Sequence, residues 1–169
     1  MKPGDHPEFF RFPAPAGTSR ESTIRLDREG RFWHDGAPVE HPKLADALHS
    51  WIARHPDDGR WILTNGYDWT YFTVDDTAFV VRSVEGADVP ELRLSNGALV
   101  PLDPDRLTLG ADGALYARVR VKDLEADARF TRFAQNQLAP WLVEEDDGSV
   151  AIRVGGRLAR PSPRESPKS

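Results

Sequence analysis

The sequence predicts an α+β protein built on antiparallel sheets with two amphipathic helices, and three observations lead there. Short alternating apolar runs are separated by turn pairs at Asp35-Gly36, Asn65-Gly66, Asn96-Gly97 and Asp112-Gly113, where a tight hairpin demands positive φ. Two further segments space their apolar residues by three and four, which is one face of a helix. Finally, one order of features occurs twice. Ile24-x-Leu26-x3-Gly30-x-Phe32-Trp33 matches Leu107-x-Leu109-x3-Gly113-x-Leu115-Tyr116, and each is followed by a helical segment with a Trp near its end (Trp51, Trp141) and then by Asp-Asp-Gly (57–59, 146–148) and a strand. A duplicated hairpin-helix-strand unit is one reading of this order; common hairpin grammar recurring by chance is the other.

Taken in order, residues 1–21 hold four prolines and two glycines and read as an irregular arm, with Phe9, Phe10 and Phe12 available to tack it onto the body. Residues 22–86 form an N-terminal α+β unit. Ile24–Leu26 and Arg31–His34 make its first hairpin, and a helix is predicted from Pro42 to about His55 through Leu44, Ala47, Leu48, Trp51 and Ile52. Pro56 ends it. Arg60–Thr64, a run from Tyr67 or Trp69 to Val74, and Ala78–Val84 then read as a three-stranded meander turning at Asn65-Gly66 and at Asp75-Asp76-Thr77. Residues 87–156 form a C-terminal α+β unit, with hairpins Glu91–Ser95/Ala98–Leu102 and Arg106–Leu109/Ala114–Val121. A second helix is predicted from Asp123, its N-cap, to Pro140, followed by a strand at Val150–Val154. The tail 157–169 is rich in Pro, Ser and charge and reads as disordered.

The composition narrows the function classes. A 39% hydrophobic fraction with five Trp and eight Phe is enough for a core. The formal charge of −5 comes without any basic cluster, which argues against nucleic acid. There is no cysteine, so disulfides, thiolate catalysis and Cys-based zinc sites are excluded. With no signal-peptide core and no run of about 18 apolar residues, the expectation is a cytoplasmic protein with no membrane partner.

No nucleophile elbow, HExxH or glycine-rich phosphate motif is present, so no catalytic residue, metal or cofactor is assigned. The residues worth following are His34 at a strand end, Asp75 and Asp76 between two apolar strands, and Arg118 and Arg120, which alternate on one strand face and so present two guanidinium groups to one anion. Each also has a bland reading: a strand-end histidine, a turn, and a solvated sheet face.

Ile24-x-Leu26-x3-Gly30-x-Phe32-Trp33-His34-x-Gly36-x-Pro38-Val39, Gly59-Arg60-Trp61-x-Leu63-Thr64 and Val74-Asp75-Asp76-Thr77-Ala78-Phe79, with Tyr116-x-Arg118-Val119-Arg120 and Leu124-Glu125-Ala126 later, resemble the bacterial DUF1285 family. The resemblance implies a two-part α+β protein with a duplicated motif, a C-terminal part like a pleckstrin-homology fold, and a signalling role. It also implies a cleft between the parts for a nucleotide-like molecule, with His34, Asp75, Asp76, Arg118 and Arg120 as candidate ligands to it. The chain departs from the family pattern at Ala78 and Leu115, where proline is usual.

The expected function is therefore a non-enzymatic binding or regulatory module for a small anionic ligand. The alternatives are a hydrolase-type enzyme using His34 with Asp75 or Asp76, and a protein-interaction module.

Overall fold

In the computed structural model, which describes residues 1–165, the chain divides into two units, Met1–Ala78 and the remainder from Phe79. The division falls after Ala78 rather than after Gly86, because Phe79–Glu85 pairs only with strands of the second unit.

The first unit opens with the arm, which is docked. Gly4 N–H donates to Gly66 O at 2.8 Å, Arg11 pairs with Asp57, and the Phe10 ring packs on Trp69 and His55. The body then runs β1 (Arg25–Leu26), β2 (Phe32–His34), β3 (Ala37–Pro38), α1 (Pro42–Ser50), β4 (Ile52–Arg54), β5 (Trp61–Thr64), β6 (Trp69–Tyr71) and β7 (Thr73–Val74). Two sheets result, one ordered β3-β2-β1-β7 and the other β4-β5-β6.

The predicted first helix is cut short. It ends at Ser50, and Ile52–Arg54 leaves it to become β4, because Ile52 lies opposite Leu63 in the sheet; tertiary pairing overrides a periodicity that also suits a helix. Asn65-Gly66 does not form a two-residue turn. Thr64 pairs with Trp69 across a four-residue loop, and Asn65 Oδ1 accepts from the N–H groups of Tyr67 and Asp68. Of the predicted meander the first pairing forms, β5 antiparallel to β6, and the second does not. After β6 the chain slides across to run parallel to β1 as β7, and Asp75–Ala78 carries it out of the unit.

The second unit runs β8 (Phe79–Glu85), β9 (Glu91–Leu94), β10 (Leu99–Pro101), β11 (Leu107–Leu109), β12 (Leu115–Val121), β13 (Leu124–Phe130), α2 (Arg132–Asn136), β14 (Leu142–Glu144), β15 (Val150–Val154), β16 (Arg157–Ala159) and β17 (Ser162–Pro163). Its large sheet is ordered β10-β9-β8-β13-β12-β11-β17 and its small one β14-β15-β16. The stretch from Asp123 is a strand, not a helix. Leu124, Ala126, Ala128 and Phe130 alternate inward with a period of two, and helix α2 starts later, capped by Thr131 Oγ1 on Ala134 N–H at 3.0 Å. Residues 157–165 are likewise not disordered, since they supply β16 and β17; residues 166–169 lie outside the described residues.

The duplication is real at the level of topology. The order β3-β2-β1-β7 in the first unit reappears as β13-β12-β11-β17 in the second, β4-β5-β6 reappears as β14-β15-β16, and both closing strands, β7 and β17, run parallel to the first hairpin strand. The register agrees residue by residue. Leu26 opposite Phe32 corresponds to Leu109 opposite Leu115, Ile52 opposite Leu63 to Leu142 opposite Ile152, and Arg25 beside Thr73 to Thr108 beside Ser162. Backbone hydrogen bonds repeat too: Gly30 N to Asp27 O matches Gly113 N to Gly110 O, and Asp75 N to Leu26 O matches Arg164 N to Leu109 O. Gly30 and Gly113 hold the same left-handed turn at φ 83° and 85°.

Candidate functional site

Because the two copies share a register, each position in one has a counterpart in the other, and the counterparts show where the copies differ. In the first copy Leu26, Phe32, Leu48, Ile52, Leu63 and Phe72 are all buried, with the Phe32 and Phe72 rings 6.0 Å apart, and the opening beside Leu48 and Leu63 is about 210 Å³. In the second copy Phe32 is replaced by Leu115 and Phe72 by Pro161. Both residues are smaller.

The result is a cavity of about 570 Å³ in the second unit, walled by Leu109, Leu115, Leu138, Leu142, Val150, Ile152 and Pro161, with Gln135, Ser149 and Arg160 as its polar lining. Exposure shows the same thing. Leu109 and Leu142 are 43% and 42% exposed, whereas their counterparts Leu26 and Ile52 are 0% and 3%.

The polar lining is built by specific contacts. Gln135 on α2 accepts from Leu115 N–H at 3.1 Å and donates to Gly113 O at 3.1 Å, so its amide is spent holding the hairpin wall. Ser149 Oγ donates to Asp147 at 2.6 Å. Arg160 donates through Nε (2.8 Å) and Nη2 to the single oxygen Oε2 of Glu145, while Glu145 Oε1 is buried without a hydrogen-bond partner among the described residues. Hydrogen bonding to Glu145 holds the Arg160 guanidinium above its ordinary value.

The corresponding pair in the first copy is His55 and Tyr71, whose rings stack at 5.7 Å. There, Nδ1 of His55 accepts from Asp57 N–H, so Nε2 carries the proton and donates to Phe10 O at 3.0 Å. The docked arm thus completes the first copy.

One side of the cavity is closed by the segment from Arg157 to Arg164, which leaves the small sheet at β16 and joins the large sheet at β17. Three arginines pin it: Arg157 to Asp105, Arg160 to Glu145, and Arg164 to Asp127, with the Arg164 guanidinium 3.9 Å from the Tyr116 ring centre.

None of the five residues singled out by the sequence lines this cavity. His34 is exposed at the end of β2. Asp75 pairs with Arg25 and its N–H closes the parallel strand on Leu26 O, while Asp76 is half-buried. With strands about 4.8 Å apart and residues about 3.3 Å apart along them, the register of β2, β1 and β7 sets the Cα atoms of His34 and Asp75 about 14 Å apart. That exceeds the reach of proton transfer. Arg118 and Arg120 do share the exposed face of β12, but they stand opposite Asp127 and Glu125 of β13, with Arg118 3.4 Å from Asp127.

Sequence reasoning missed Arg160 and Pro161 because they lie in the stretch read as tail. Extending the repeat past Gly148 pairs Tyr71-Phe72-Thr73 with Arg160-Pro161-Ser162, and that signal was available. Among the described residues no cluster of metal-ligating side chains occurs and no helix is long and apolar enough to cross a membrane.

No family model and no curated protein matches the sequence. Solved structures do match. A DUF1285 family protein from Silicibacter pomeroyi DSS-3 superposes with a TM-score of 0.65 at 20% identity, covering 91% of this chain and 92% of that one. A DUF1285 family protein from Shewanella baltica OS155 gives 0.54 at 16% identity, covering 72% of this chain and 94% of that one. At such identities the likeness is one of fold.

Proposed function

We propose that this chain, which carries the fold of the DUF1285 family proteins it resembles, is a non-enzymatic module that takes a small ligand into the cavity of its second repeat. One observation carries the reading: the same architecture occurs twice, packed with Phe32 and Phe72 in the first copy, where the opening is about 210 Å³, and opened to about 570 Å³ at Leu115 and Pro161 in the second. An apolar void costs stability in proportion to its size. At about 570 Å³ the opening also falls within the ~300–1,000 Å³ of ligand pockets.

The test is a thermal-shift panel on the full chain, with nucleotides, small carboxylates and a neutral apolar probe. A ligand at 100 times its Kd stabilises the folded state by about 2.7 kcal/mol, which for a chain of this size raises the midpoint by roughly 5–10 °C. No stabilisation by any member at millimolar concentration overturns the reading.

A further inference from the structure

We infer that the ligand of this cavity is a medium-chain acyl carboxylate, its hydrocarbon in the apolar chamber and its head on Arg160. The inference rests on the cavity reading above and adds the chemistry of the occupant.

Among the described residues the chamber walls are mostly apolar, and their neutral polar groups are already tied to neighbours. Seven of its ten lining residues are apolar, the Gln135 amide is committed at both ends to the Gly113–Leu115 wall, and Ser149 gives its proton to Asp147. A nucleobase needs several donors and acceptors to replace its lost water, and this lining does not supply them. A hydrocarbon chain needs none.

Charge selects the head. Among the described residues Arg160 alone of those lining the cavity carries a charge. Both of its hydrogen bonds to Glu145 come from Nε and Nη2 and converge on one oxygen, and among the described residues none engages Nη1. A guanidinium carries five N–H donors in a fixed fork, so its second edge is suited to a second carboxylate while Glu145 keeps the first. The nearby acids are Glu145 and Asp147, and the Arg160 side chain is 66% exposed at the rim. Glu145 is 15% exposed, so water screens it little, and the guanidinium held between the two carboxylates is what offsets their repulsion. Arg160 also belongs to the segment that closes the cavity, so the head lies at the mouth and the chain points inward.

The test is displacement of N-phenyl-1-naphthylamine, a neutral apolar fluorophore, from the full chain by octanoate, decanoate, dodecanoate, decanol and decylamine below their micelle thresholds. The fluorophore is expected to bind. Affinity is expected to rise roughly three- to fourfold per methylene from octanoate to dodecanoate, and decanoate is expected to compete about tenfold better than decanol, as a charge-assisted hydrogen bond predicts. Arg160→Ala brings decanoate down to the level of decanol within the same variant, a ratio in which any loosening of the closing segment cancels because it acts on both chains; an unchanged preference for decanoate overturns the assignment of the head to Arg160. Glu145→Gln, which removes the competing charge, keeps or raises decanoate affinity.

If the fluorophore binds but decanol or decylamine competes as well as decanoate in the wild-type chain, the carboxylate assignment falls and the cavity reading stands. If neither the fluorophore nor any chain binds, the cavity reading itself falls.

Discussion

Asp27 gives the sharpest test of how the first copy is held. Its carboxylate is 7% exposed and accepts from Glu29 N–H (3.0 Å) and Arg31 N–H (2.9 Å) through Oδ1, and from Trp33 Nε1 (2.8 Å) through Oδ2. Replacing it by alanine leaves these three donors, and the Arg31 Nε–H that reaches Oδ2 at 3.3 Å, without an acceptor. Hydrogen bonds to a charged group are worth about 1.5–3 kcal/mol each, but the two turn amides regain water once the side chain is gone. The expected cost of Asp27→Ala is therefore about 2–3 kcal/mol, or roughly 5–10 °C in a chain this long. Asp27→Asn keeps one acceptor and costs about 1 kcal/mol.

The assay is urea unfolding followed by tryptophan fluorescence, since Trp33, Trp51, Trp61 and Trp69 all lie in the first unit. The pH dependence has a definite sign. Burial pushes the Asp27 carboxyl up, but the hydrogen bonds from Trp33 and the turn amides prevail and hold it below its ordinary 3.8. A depressed carboxylate contributes stability that is present above the unfolded value and is lost as pH falls through the lower folded value. The wild-type chain should lose its advantage over Asp27→Asn only below about pH 4. A cost under about 0.5 kcal/mol for Asp27→Ala, below the strength of a typical hydrogen bond, would refute the reasoning.

Two further perturbations follow from the geometry. Replacing His55 by alanine removes the ring that donates to Phe10 O and stacks on Tyr71; limited proteolysis should then cut within residues 1–20 well before the body, and equal protection in both proteins would contradict the docking role. Gly86 has φ 101°, and a Cβ there would meet Val89 O at 2.3 Å. Gly86→Ala should therefore destabilise by about 2 kcal/mol or more in calorimetry through backbone strain, and a neutral result would show that the turn relaxes freely.

Much of the fold was legible where local chemistry decides it. Asn96-Gly97 gives its hairpin because glycine alone takes the required φ, 88°, without strain, and the spacing around Gly30 and Gly113 revealed the duplication. Misreadings came where two periods compete. Ile52 continues a helical face as well as a strand, and only the partner Leu63, supplied from elsewhere in the chain, decides it. The stretch Leu124–Phe130 alternates cleanly, but Phe130, Phe133, Ala134 and Leu138 beyond it suggested one long helix. The site was the least legible part. Arg160 and Pro161 matter because of what they replace, Tyr71 and Phe72, and although the repeat spacing leads to that comparison, a stretch rich in Pro, Ser and charge carries no local signal of the parallel pairing of β17 with β11. His34, Asp75 and Asp76 drew attention as reactive side chains, yet Asp75 serves to end a strand.

The most direct test of the open second copy is to refill it from the first. Leu115→Phe with Pro161→Phe restores the pair that closes the first copy, and the new residue at 161 regains the N–H that Phe72 donates to Trp61 O. Binding of N-phenyl-1-naphthylamine is measured by fluorescence titration beside the thermal midpoint. The account predicts that the double variant folds with an unchanged or higher midpoint and loses fluorophore binding at least tenfold, a difference of about 1.4 kcal/mol. A folded double variant that binds the fluorophore as tightly as the wild-type chain would contradict it.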